Sequence, residues 1–117
     1  MTRSDIVAYC LAKPGAWPDE PWEGDEVAKV GDKIFAFFGA TGDGFRIGLK
    51  CGRTADEAGE LRARYPDHVT ISAYTGRYGW NTIDPAGVPD DELCEWIDAS
   101  YDEIVARLPR AKRPPTE

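Results

Sequence analysis

The chain has 117 residues, 42% of them apolar, and a net charge of −7. That length makes one domain, and four tryptophans, five tyrosines and four phenylalanines supply the bulk of its core. No stretch approaches eighteen apolar residues, which excludes a membrane-spanning helix, and the acidic balance counts against nucleic-acid binding by bulk electrostatics.

Residues 4–12 read as a helix. Ser4 supplies an N-cap, Ile6, Val7, Cys10 and Leu11 share one face, and Pro14-Gly15 ends it. Residues 14–24 hold three prolines with Trp17 and Trp22, and read as a loop pinned to the body by its two indoles. Residues 26–30 and 33–38 read as strands joined by Gly31-Asp32, a tight hairpin signal. Residues 34–38 are apolar on both faces. They fit a central strand covered on both sides, or by helices on one face and loops on the other. The glycine-rich 39–44 segment links two strands, so it lacks the helix N-terminus of a phosphate cradle and reads as a flexible turn. Residues 45–50 alternate cleanly. Phe45, Ile47 and Leu49 point one way and Arg46, Gly48 and Lys50 the other, giving a half-buried strand with a basic outer face.

Thr54 with Glu57 three residues on reads as a capping box, opening a helix that runs to about Tyr65 and stops at Pro66. Residues 69–73 and 80–83 read as strands around a turn at 76–79. In the last helix Leu93, Trp96, Ile97, Tyr101, Ile104, Val105 and Leu108 recur at three- and four-residue steps. Asp90 or Asp91 caps it, and its early acids suit the helix dipole. Residues 109–117 have almost nothing to bury and are expected as a mobile tail beyond a single domain at 1–108. The order is α-β-β-β-α-β-β-α. Hairpin-linked strands then give an α+β fold, a mainly antiparallel sheet with helices packed on one face.

Little in the sequence speaks for catalysis. The lone histidine, His68, precedes a strand, and no nucleophile elbow, Walker loop, dinucleotide fingerprint or zinc spacing occurs. A non-enzymatic protein without a cofactor is expected. Cys10, Cys51 and Cys94 are widely spaced and read as buried small hydrophobes, although Lys50 and Arg53 beside Cys51 could lower its thiol pKa. Residues 83–103 carry eight acids and no Lys or Arg. Asp91, Glu95, Asp98 and Asp102 step along the flank of the apolar stripe, as a solvated face does, so no metal site is expected. Residues 1–5 lack the apolar core of a secretory leader, and a cytoplasmic location is expected.

One pattern is more specific. Tyr74-x-Gly76-Arg77-Tyr78-Gly79-Trp80, preceded by residues 29–36 (KVGDKIFA) and by Leu49-Lys50-Cys51, resembles the MmcQ/YjbR family over residues 4–108. The resemblance implies a small bacterial protein, an α+β sandwich often compared with the frataxin fold, and DNA as its partner through a winged-motif-like sheet. Winged elements would place arginines on phosphates and polar groups on base edges. On that reading Arg46, Lys50, Arg53, Arg77 and Tyr78 form the nucleic-acid surface, with Asn81 reaching a base edge if it is exposed. It requires those cations to converge on one face, away from the acids of the last helix. The turn holds one arginine where many members hold more basic residues. The alternative is a module that binds a protein or small molecule, its groove lined by Trp22, Tyr74 and Trp80, with Trp17 and Tyr78 as further candidates.

Overall fold

Two-residue and short turns fold most of this chain back on itself, so an antiparallel sheet is the natural product. The computed structural model describes residues 1–41, 44–73 and 75–114, without the side chains of residues 40, 41 and 77. Six strands, β1 (Ala16–Trp22), β2 (Asp25–Val30), β3 (Lys33–Thr41), β4 (Gly44–Lys50), β5 (Val69–Ile71) and β6 (Trp80–Ile83), form one sheet. Their order is β1-β2-β3-β4-β6-β5, every pair antiparallel. Gly31 closes the β2–β3 hairpin with a φ of 61°, a conformation that glycine adopts without strain.

Three helices, α1 (Arg3–Leu11), α2 (Ala55–Arg64) and α3 (Asp90–Val105), pack on one face of this sheet. The alternation in β4 decides which face. Ile47 and Leu49 are fully buried, with Ile83, Val69, Ala36 and Phe38 from neighbouring strands and Ile6, Leu93 and Ile97 from the helices. A bulge adds Phe35 to β3, because Ala28 and Lys29 of β2 pair with Ala36 and Ile34. Consecutive residues Phe35 and Ala36 are thus both buried. Phe35 meets Tyr101 of α3 edge to face at 5.3 Å, and Ser100 donates its hydroxyl hydrogen to the Phe35 carbonyl at 2.7 Å. These contacts lock α3 across the central strands.

The α+β class and the sequence of elements are those read from the pattern, with one strand more. Residues 16–22, expected as loop, form β1 at the sheet edge, where Pro18 and Pro21 are tolerated because an edge strand need not donate on both sides. The α1 cap is Thr2 rather than Ser4. Its hydroxyl accepts from the Asp5 amide while the Asp5 carboxylate accepts from the Thr2 amide. At α2 Thr54 caps as expected, but Glu57 accepts from the Arg53 amide at 2.6 Å. Pro89, with no side-chain hydrogen bond, precedes α3, and Asp90, Asp91 and Glu92 fill its first turn. Beyond Leu108 the described residues are mostly exposed, and Pro114 lies beside Gly15. The Arg113 guanidinium donates to the Leu108 and Ala106 carbonyls at 3.0 and 2.9 Å, satisfying groups left over at the end of α3. Residues 115–117 lie outside the described residues. Among the described residues no helix is long and apolar enough to cross a membrane.

Candidate functional site

The second face of the sheet carries the alternate residues of the same strands. On β3 these are Phe37 and Gly39, on β4 Arg46, Gly48 and Lys50, and on β6 Trp80 and Thr82. Gly48 sits in the interior of a central strand, between Phe37 and Thr82 of its neighbours. With no side chain there, the sheet surface is hollowed. A Cβ built at Gly48 would lie 3.2 Å from the Cβ of Phe37. Glycine within a strand often marks such a close approach.

Two adjoining cavities open on this face, of about 340 and 460 Å³, sharing Trp22, Phe37 and Thr75 as walls; the first lies over Gly48. The first runs over Gly39, Gly48 and Thr82 to Arg46. The second runs along Trp80 to Lys33, Lys50 and Arg107. Phe37 and Trp80 meet edge to face with centroids 5.3 Å apart, which fixes the wall, while Trp22 is 60% exposed at the rim. Trp17 is committed elsewhere. Its ring N–H donates to the Gly31 carbonyl at 2.9 Å, and Lys29 lies over its ring. Of the three residues expected to line a ligand groove, Trp22 and Trp80 meet here, and Tyr74 lies outside the described residues.

The residues expected to contact nucleic acid are dispersed in role. Arg46 is in the groove. It donates to the Phe45 carbonyl at 3.0 Å and lies 3.8 Å from Asp84. Burial opposes ionisation of Asp84, yet the Ala86 amide, His68 and Arg46 together hold its carboxyl below the ordinary carboxylate value. Arg53 stands at the entry to α2 with its guanidinium 3.7 Å from Glu103 of α3, which also holds Arg107 at 3.1 Å. An acid of the last helix is therefore interleaved with these cations, contrary to the separation the DNA reading requires. The side chain of Arg77 lies outside the described residues. Tyr78 is 54% exposed.

Two of the expected contacts are corrected. Asn81 is fully buried. Its amide donates to the Ala58 carbonyl at 3.0 Å and its carbonyl accepts from Arg62 at 2.6 Å, so it ties α2 to β6 and presents nothing to a base. Lys50 does lie on the outer side of β4, but it is 3% exposed rather than bathed in solvent, and it shares its cavity with Ile104 of α3. Its ammonium donates to the Tyr78 carbonyl. Burial, followed by the repulsion of Arg107, lowers its pKa. The lowered thiol pKa that its basic neighbours suggested for Cys51 is not found, since burial pushes the thiol up to about 11. His68 faces Asp84 at 3.3 Å, and Asp98 accepts from Tyr9 at 2.8 Å and pairs with Lys13. Among the described residues no three His, Cys, Asp or Glu side chains are grouped to hold a metal.

The residues that sequence reasoning passed over are Phe37, Gly39, Gly48 and Thr82. Their signal was available in the two glycines at same-face positions of paired strands.

Sheet, helices and groove define a small α+β protein with one face of its sheet packed and the other hollowed. Comparison then gives the family. The family model described as YjbR matches residues 11–103, and the chain belongs to the YjbR family. It is 33% identical over 116 residues to the protein of Escherichia coli K12 named "Uncharacterized protein YjbR", covering 97% of this chain and 95% of that protein. The protein of the same name from E. coli O157:H7 matches equally. The crystal structure of Deinococcus radiodurans protein DR2400, a DUF419 domain, superposes with a TM-score of 0.83 at 25% identity, over 96% of this chain and 85% of that one.

Proposed function

We propose that the chain is a non-enzymatic binding module that takes a small molecule in the groove on the second face of its sheet, bounded at one end by Ile104 of α3. Gly48 carries this reading. A side chain at that central position would crowd Phe37 and fill the hollow, and its absence keeps an aromatic-walled space open. Cavities of 340 and 460 Å³ suit a small organic ligand better than a macromolecule, and apolar walls with a few polar groups are how such ligands are held.

Duplex DNA, the partner the family resemblance implies, is the weaker reading here. Affinity for DNA rests on cations that neutralise phosphates. In this chain Arg46 and Arg53 face acids, Lys50 is buried, and the net charge is −7.

The test is a ligand-observed NMR screen of a fragment library against wild type and Gly48→Val, with fluorescence anisotropy on random duplex DNA alongside. The module reading expects flat aromatic fragments to bind wild type and not the variant, with no DNA binding at low salt. Fragments that bind both proteins alike, or DNA affinity that falls steeply with salt, would defeat it.

A further inference from the structure

We propose that the groove receives a planar aromatic carboxylate, its ring against Trp22, Phe37 and Trp80 and its anionic end at Lys50. This rests on the groove being a ligand site and adds the chemistry of the ligand.

The walls select the ring. Phe37 and Trp80 are held edge to face at 5.3 Å, and Trp22 stands across the opening with most of its indole in solvent. An exposed indole beside a fixed aromatic pair gains most from a flat apolar partner, which buries area on both sides and stacks in offset or edgewise geometry.

Lys50 selects the charge. An ammonium has three donors and no acceptor. At Lys50 the Tyr78 carbonyl takes one of them, and among the described residues no carboxylate lies within 4.0 Å of the nitrogen. Of the other cations near the groove, Lys33 is exposed to solvent and the rest are paired with acids. Lys29 pairs with Asp19, Arg46 with Asp84 and Arg107 with Glu103. A cation that is 3% exposed, with Glu103 and Glu57 acting on it only from beyond ion-pair distance, is costly to bury, and an anion entering the cavity beside it would offset that cost. Lys33 and Arg107 line the same cavity against Asp32, so its lining is positive in a molecule of net −7. One buried ammonium suits a monoanion. A carboxylate supplies that charge on two oxygens that accept charge-assisted hydrogen bonds.

Titration calorimetry with naphthalene-2-carboxylate and the neutral naphthalene-2-carboxamide tests the proposal. Wild type is expected to bind the carboxylate about tenfold or more tightly than the amide. In Lys50→Met, which keeps the length of the side chain without its charge, the ratio should fall to about one with amide affinity held. Equal affinity of wild type for the two probes, or an undiminished preference in the variant, would overturn the assignment of the anionic end. The groove would still stand if the amide binds wild type and is lost in Gly48→Val. If neither probe binds wild type, the groove reading falls with it. Should Lys50→Met not fold, Lys50→Gln and the wild-type ratio decide the matter.

Discussion

The two faces of this one sheet are built on opposite plans. On the helix-covered face Phe35, Ile47, Leu49 and Ile83 are fully buried, and the one polar side chain among them, Asn81, is satisfied at both ends. On the other face a glycine lies against Phe37 with little room for a Cβ, an indole is exposed, and a lysine is buried without a carboxylate within ion-pair distance among the described residues. Packing accounts for the first arrangement entirely. It accounts less well for the second, where a buried charge is retained at a cost to stability. Such residues are the ones whose presence a binding role explains.

The comparison can be broken by mutation. Phe35→Ala on the covered face should destabilise the protein by about 3–5 kcal/mol, and Phe37→Ala on the hollowed face by about half as much, both read by urea denaturation. Equal losses would mean that the second face is also core. Gly48→Val should cost about 1–3 kcal/mol through crowding of Phe37 and should close the groove to fragments.

Lys50 sharpens the comparison through pH. Burial lowers its pKa in the folded state, so the folded chain holds that proton less tightly than the unfolded one. Between the lowered value and the ordinary lysine value of about 10.4 the unfolded chain binds more protons, and stability rises with pH. The cost of the buried charge is fully present at neutral pH and is relieved as pH climbs through that window. Wild type should therefore gain stability relative to Lys50→Met as pH approaches about 10, measured by denaturation at fixed temperature. A constant difference would show that Lys50 is better solvated than its burial implies. The smallest effects are expected on the covered side. Burial pushes Cys10 up to about 12 and Cys51 to about 11, so iodoacetamide at neutral pH should leave both unmodified in the native protein. Rapid modification of Cys51 would mean that the β4 end opens.

Much of the covered face was legible in the sequence, because one periodicity settled each element. The alternation at 45–50 fixed which side of β4 faces the helices, and the three- and four-residue steps at 93–108 fixed the inward stripe of α3. What escaped was what depends on partners far away in the chain. Pro18 and Pro21 argue for a loop, and only their place on an edge strand admits them to the sheet. Lys50 on an outward position reads as solvated until Trp80 and the 75–78 turn enclose it. Asn81 reads as a free polar tip until Ala58 and Arg62 claim both its ends. The groove itself is a matter of missing side chains, and pattern reading counts the residues that are there.

The most direct test is an amide shift map in which naphthalene-2-carboxylate is added to the isotope-labelled wild-type chain. The groove account expects the perturbed amides to gather at Phe37, Gly39, Gly48, Lys50 and Thr82, across three adjacent strands on one face. Silence at those five positions, with shifts confined to the surfaces of α2 and α3, would contradict it.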